Sequence, residues 1–372
     1  CSEGGLTHVQ CKRLKKNIEN LEDISNGWQT TAIITALVVC ASAFVVQIRN
    51  HGLSSVLQGS QFGRRGSFRS RQVEEALISI IPEKEDDAIE RKFVATKLIF
   101  GKASTSAGGL VAALGVKDEE LRGSSIDAIK AEWDKSGTDE DKGNFQYVAY
   151  GTACDHANFP EHMKKQVSTG FYHGGRLEDP QLDIDFGNNA MKLEDFAKCP
   201  AARIAKLTTV EVLCIRLYTT SSFGCFNKPL RTSQKPHPFA RSVFHLYEGL
   251  KKLRAVEATR DPEGFIKEVM LYRGMKNMKL DEGKFKKQGG TELAPMSTTA
   301  DIQVAAKYAY SESPLVFEYK TLGNSRGVCI KDFSVYPKEA EYLYPPLTLI
   351  VPQGDSRKVG RVTLLTVAPQ MS

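Results

Sequence analysis

The chain has 372 residues, 41% of them hydrophobic and 25% charged, with a formal net charge of +6. That length holds one large domain with an appendage, or two domains, and the composition is that of a globular chain rather than a disordered or collagenous one. The positive charge is too diffuse to form a nucleic-acid footprint, so no nucleic acid is expected as a partner.

The eight cysteines (Cys1, Cys11, Cys40, Cys154, Cys199, Cys214, Cys225 and Cys329) show no CxxC pair and no metal-finger spacing. They read as free, mostly buried thiols in a reducing compartment, and the absence of any Asn-x-Ser/Thr sequon agrees with that. The chain opens on Cys1 rather than Met, so a fragment or processed form is expected.

Residues 1–24 are polar, with Lys12, Arg13, Lys15 and Lys16 clustered. Residues 25–48 carry no charge and centre on the run from Trp28 to Val46. About 20 apolar residues suffice to cross a bilayer core as a helix, so a single membrane span, and hence a membrane anchor, is expected here. Arg49, Arg64, Arg65, Arg69 and Arg71 follow it. The positive-inside rule leans towards a cytosolic C-terminal part. Residues 49–72 are rich in Ser, Gly and Arg and read as a solvated linker.

Residues 73–135 have apolar positions at helical spacing, as in Glu74–Ile81 and Ala88–Ile99. Gly101-Lys102-Ala103-Ser104 is not a phosphate loop, because Thr96 stands where the first glycine is required. A domain boundary is placed at 135/136, with residues 136–372 as the main domain. Residues 136–200 read as turn-rich. Cys154, His156 and His162 have no evident fourth partner for a metal, and Asp179, Asp183 and Asp185 lack the spacing of a calcium loop. No metal is expected.

Thr208-Thr209-Val210-Glu211 places a hydroxyl cap and a Glu three residues on, so a helix is predicted to about Thr219. Phe239–Val256 reads as an amphipathic helix with Phe244, Tyr247, Leu250 and Leu253 on one face. From there short strands are predicted over 265–271, 293–298, 315–319, 328–333, 341–344, 347–351 and 361–367, interrupted by a helix over 301–310. Helices followed by strands give an α+β fold: a helical N-terminal part, then a mixed, mostly antiparallel β core.

Three pieces of this C-terminal part carry chemistry. Val269–Gly274 is an apolar strand that delivers Arg273 and then Gly274. Met296 is followed by Ser297-Thr298-Thr299. Tyr336-Pro337-Lys338-Glu339-Ala340-Glu341 sets two carboxylates two residues apart. On an extended chain Glu339 and Glu341 would share a face, roughly 6–7 Å apart. Like charges that close should raise at least one pKa, an arrangement suited to acid–base work or to an electron-poor centre.

Arginine, then Ser-Thr-Thr, then Glu-x-Glu, in that order, resembles the arginine-specific mono-ADP-ribosyltransferases of the Arg–Ser–Glu class. Arg326-Gly327-Val328, the Tyr336-Pro337 approach and Pro345-Pro346 fit the same pattern, which covers roughly residues 200–372. One departure is Thr299, where the family often has Ser. The resemblance implies a cleft that splits the β core and binds NAD as co-substrate. It implies transfer of ADP-ribose to an arginine-bearing acceptor protein or a small guanidino compound. By the same resemblance Arg273 grips the diphosphate, and Gly274 lets the backbone approach the nicotinamide amide. Ser297 orients Glu341, with Thr298 and Thr299 supporting the strand. Glu341 bonds the ribose and stabilises its developing charge, and Glu339 holds the guanidinium. Tyr336 would lie in the loop that faces the acceptor, and Tyr308 and Tyr310 are the candidates to stack on nicotinamide. An NAD glycohydrolase and an inactive membrane-tethered binding module are the alternatives.

Overall fold

The computed structural model describes residues 71–81, 107–169, 171–172, 175–176, 184–278 and 282–371. The membrane span expected over 25–48 and the linker after it lie outside these residues. Among the described residues no helix is long and apolar enough to cross a membrane.

Residues 71–372 cluster as one compact unit. Its first half is helical. Helix α1 (Ile126–Ser136) starts on Ser125, whose side chain accepts from Ala128 N. Helix α2 (Asp139–Tyr150) starts on a reciprocal capping box between Thr138 and Asp141. Another helix runs over Glu161–Thr169, so the stretch expected to be turn-rich holds two regular helices. The single-residue caps that nucleate them leave little trace in hydropathy. Helix α3 (Thr209–Tyr218) has the predicted box between Thr208 and Glu211. Helix α4 is Phe223–Arg231 and helix α5 is Ala240–Ala255. Trp133 of α1 is fully buried and packs on Phe145, Phe226 and Phe239 at ring distances of 6.0, 6.0 and 5.1 Å. Packing therefore runs straight across the 135/136 boundary.

The second half is a mixed, open, mostly antiparallel sheet of nine strands. Besides a small hairpin, β1 (Phe171–Tyr172) with β2 (Gly175–Arg176), the strands are β3 (Val269–Met275), β4 (Gly290–Glu292), β5 (Met296–Thr299), β6 (Leu315–Thr321), β7 (Val328–Cys329), β8 (Glu341–Tyr344), β9 (Thr348–Pro352), β10 (Arg357–Val359) and β11 (Val362–Gln370). The order is β4-β9-β11-β6-β3-β5-β8-β7, with β10 on β11. Only β11 and β6 run parallel. Helix α6 (Ile302–Ala309), capped by Asp301, crosses over between β5 and β6. The fold class matches the sequence reading.

Three local differences have physical causes. Residues 265–268 are not strand, because Asp261 caps a short Pro262–Phe265 helix and accepts from Gly264 N at 2.9 Å. The strand predicted to Phe333 stops at Cys329, where Phe333 N turns back to Ile330 O. Strands β4 and β10 have three residues each, too short for alternation to show, and exist by pairing with β9 and β11.

The sheet has an apolar cluster around Phe285, Phe317, Tyr319 and Tyr344, and another around Tyr272, Ala305, Val316 and Leu364. The helix over 71–80 contributes Val73 and Leu77 to the latter, and Ile81 just after it joins them. Leu77 thus shares a core with Tyr272, the residue beside Arg273.

Candidate active site

Strands β3 and β5 meet through one register pair, Tyr272 with Thr299, whereas β3 pairs with β6 along its whole length. Beyond that pair β3 and β5 part, and a cavity of about 380 Å³ opens between them. It is lined by Arg273, Gly274, Ser297, Thr298, Thr299, Glu339 and Glu341, and across from them by residues of α3 and α4. Arg273, Gly274, Ser297, Thr298, Glu339 and Glu341, the residues expected to bind NAD or act on it, therefore border one cavity, although they are scattered along the chain from 273 to 341.

Glu341 opens β8 opposite Thr299 of β5, and Ser297 pairs with Leu343. Ser297 and Glu341 are thus diagonal neighbours on one face of the sheet. Only 8% of Glu341 is exposed. Burial pushes its carboxyl up to about 7, against the opposing pull of the Ser297 hydrogen bond and the Arg273 charge. The pKa rise expected for the pair is present, but its cause is loss of water rather than a neighbouring carboxylate.

Glu339 is not on the strand. Pro337–Glu339 is a turn of 3₁₀ helix, and Ala340 takes a left-handed conformation (φ 46°) before β8 begins. Proline at the first position and the strained Ala340 break the extended geometry that would have aligned the two carboxylates. Glu339 reaches the cavity from the rim instead. Its main-chain oxygen accepts from Thr299 Oγ1 at 2.7 Å, and its Oε1 accepts from Tyr308 Oη at 3.3 Å.

The loop before this turn is tied to the helical half. Arg216 donates to Phe333 O at 3.0 Å, Asp185 N donates to Val335 O at 2.7 Å, and Val335 N donates to Thr219 Oγ1 at 3.0 Å. Arg216 is itself buried in an ion pair with Asp185, its guanidinium 3.7 Å from the Phe196 ring centre. Tyr336, in the loop expected to face an acceptor, is itself buried and donates to Gln166 Oε1 at 2.8 Å. It anchors the loop from below.

Arg273 donates through Nη1 to Ser297 O at 3.0 Å and through Nη2 to Glu292 Oε2 at 3.4 Å. Glu292 is 1% exposed. Its two oxygens also accept a bidentate pair from Arg231 of α4, at 3.0 and 3.2 Å. Two guanidinium groups on the cavity wall thus share one buried carboxylate, giving the trio a net positive charge. Neither Arg231 nor Glu292 was predicted as a site residue. Arg231 lies on a helix well upstream of Arg273, and no sequence spacing links the two.

Gly274 has a packing role. A Cβ there would come within 1.8 Å of Ala305 O, so only glycine lets α6 lie against β3. Thr298 is turned inward, its hydroxyl donating to Tyr342 O at 2.8 Å. Of the two stacking candidates Tyr308 lines the cavity. Tyr310 is the residue that ends α6 and is not part of the lining.

A larger cavity of about 580 Å³ lies beside Cys154, Asp155, His156 and Phe186. Its groups are internally satisfied: Cys154 Sγ donates to Asp185 O at 3.2 Å, and Asp155 caps the turn at Ala157. Burial also raises the Cys154 pKa, which suppresses the thiolate. Among the described residues no group of His, Cys, Asp and Glu side chains could hold a metal ion.

Residues 188–364 match the family of NAD:arginine ADP-ribosyltransferases. Among solved structures, an ADP-ribosyltransferase of Pseudomonas syringae is 17% identical, with 63% of this chain and 98% of that one covered and a TM-score of 0.39. The Vis toxin of Vibrio splendidus is 20% identical over 48% of this chain and 83% of that one, with a TM-score of 0.36. An ADP-ribosyltransferase from Clostridium botulinum is 19% identical over 47% of this chain and 94% of that one, with a TM-score of 0.35. No curated protein matches the chain.

Proposed function

We propose that this chain, whose residues 188–364 match the NAD:arginine ADP-ribosyltransferase family, transfers ADP-ribose to arginine side chains of an acceptor protein and releases nicotinamide. The observation that carries the reading is Glu341: a buried carboxyl at about 7, hydrogen-bonded by Ser297, in the same cavity as Glu339 and Arg273.

Bound NAD supplies a glycosidic bond whose cleavage leaves positive charge on the ribose, with neutral nicotinamide as leaving group. Glu341 is buried and therefore most effective against charge that appears only in the transition state. A cationic ribose beside it favours its ionised form. Ser297 holds the carboxylate in orientation. The paired donors of a guanidinium suit a diphosphate, which makes Arg273 its binding group. Glu339 at the rim meets an incoming guanidinium, holds it in bidentate fashion and takes its proton.

The membrane span over residues 25–48 remains part of the proposal, with the catalytic part on the cytosolic side. Detergent-dependent extraction of the full chain supports it, and recovery in detergent-free buffer removes it.

The test of activity is incubation of the full chain with NAD, with and without agmatine, following nicotinamide and ADP-ribosylagmatine. Product formation that is lost in Glu341→Gln and in Glu339→Gln supports the transferase. Nicotinamide release that needs Glu341 alone makes the chain an NAD glycohydrolase. That second reading has one observation in its favour: Glu339 lies in a turn rather than on the strand ladder. A folded chain that releases no nicotinamide is not an enzyme of this class.

A further inference from the structure

The side chain of Glu339 is not oriented by a strand. Thr299 and the left-handed Ala340 fix its backbone, but neither sets the plane of its carboxylate. A guanidinium binds a carboxylate in plane, through two parallel N–H···O bonds, so that plane decides whether an acceptor arginine is held for attack. Tyr308 reaches the carboxylate from the cavity side, its hydroxyl 3.3 Å from Oε1.

We propose that the Tyr308 hydroxyl is the positioning group for Glu339, and that it sets whether the site passes ADP-ribose to a guanidinium or to water. This assignment rests on the transferase reading above and deepens it.

Tyr308 is well placed for the role. It sits on α6, which is held to the sheet by Asp301 at its start, by buried Ala305, Ala306 and Ala309, and by the close approach to Gly274. The hydroxyl therefore comes from a rigid element, while Glu339 comes from a turn. Tyr308 also borders the cavity that contains Ser297 and Glu341, so one side chain joins the leaving-group side of the site to the acceptor side. The 3.3 Å separation is longer than the ~2.7 Å common for hydroxyl donors. Catalytic hydrogen bonds are often long before substrate binds and tighten in the complex.

In the transfer step the bond from the ribose carbon to the nicotinamide nitrogen breaks, and its electron pair leaves with nicotinamide. A guanidinium nitrogen forms the new bond to that carbon, and its proton passes to Glu339. In hydrolysis a water oxygen forms the bond to that carbon, its proton passes to a carboxylate or to solvent, and free ADP-ribose results. Tyr308 takes no part in either bond change. It raises the fraction of encounters in which a guanidinium, rather than water, is aligned.

The test uses the full chain with NAD and agmatine, comparing native protein with Tyr308→Phe, which keeps the ring and removes the hydroxyl. The readout is the ratio of ADP-ribosylagmatine to free ADP-ribose, which does not depend on how much of the variant folds. Loss of a hydrogen bond to a charged group predicts a fall in this ratio of about tenfold. The KM for agmatine should rise by more than the KM for NAD. An unchanged ratio overturns the assignment, as does an equal fall in both products, which would place the role of Tyr308 at nicotinamide. If the native chain hydrolyses NAD and modifies no guanidino compound, the arginine reading fails and the assignment falls with it. If the native chain transfers well and the variant equals it, only the assignment falls.

Discussion

Arg273 donates to the main-chain oxygen of Ser297 over 3.0 Å. The strand that supplies the cation thus also holds the strand that presents the serine to Glu341. A change at Arg273 therefore reaches two parts of the site at once.

Arg273→Lys should weaken NAD binding and also loosen β5. A lysine has a single ammonium in place of a planar fork, so it cannot reach Ser297 O and Glu292 together. The KM for NAD should rise about tenfold or more, taking a charge-assisted bond as ~1.5–3 kcal/mol. Thermal stability should drop as well. A rise in KM with no change in Tm would show that the Ser297 contact carries no weight.

Glu341 ties stability and activity to the same titration. Its folded pKa lies at about 7, against 4.5 for an ordinary glutamate. Folding therefore favours the protonated form, and this contribution is lost as pH rises from 4.5 through 7. By linkage the loss amounts to ~3 kcal/mol, at about 1.36 kcal/mol per pH unit. Activity should move the other way and rise through about pH 7 as the carboxylate forms. In Glu341→Gln the stability decline across this window should flatten, and above it the variant should be the more stable protein. Urea midpoints across that range check the sign.

The Arg231–Glu292 pair is nearly closed to solvent on the Glu292 side. Arg231→Ala leaves a buried carboxylate with the longer Arg273 contact and one main-chain bond, from Ala294 N at 3.2 Å, and a loss of ~3–5 kcal/mol is expected. Replacing both partners, as Arg231→Met with Glu292→Met, should recover part of that stability, because the buried carboxylate is gone and Arg273 keeps its bond to Ser297 O. If the double variant is as unstable as Arg231→Ala, packing rather than charge holds this wall.

Leu77 is fully buried in the cluster that contains Tyr272 and Ala305. Leu77→Ala should cost ~2–5 kcal/mol, and a chain that begins at residue 82 should fare worse. Denaturant unfolding of both checks this. A truncated chain as stable as the native one would mean that the helix over 71–80 is an accessory rather than a part of the domain.

Elements that rest on local chemistry, and residues that rest on order, can be read from the chain alone. The Thr208–Glu211 box, the helix 240–255 and the strands 315–321, 341–344, 348–352 and 362–370 are set by capping and periodicity, which neighbours in the chain supply. Arg273, Ser297 and Glu341 stand out in the sequence because their succession along the chain is itself a pattern, and the fold brings them to one cavity. Packing decided the rest. Glu339 left the strand because Pro337 and the left-handed Ala340 form a turn tied to Thr299. Glu341 owes its raised pKa to burial, a property of the packed sheet. Arg231, Glu292 and Tyr308 took their places when α4 and α6 packed against strands distant in sequence. Burial and long-range ion pairing depend on what lies across the fold, and one-dimensional spacing carries no record of that.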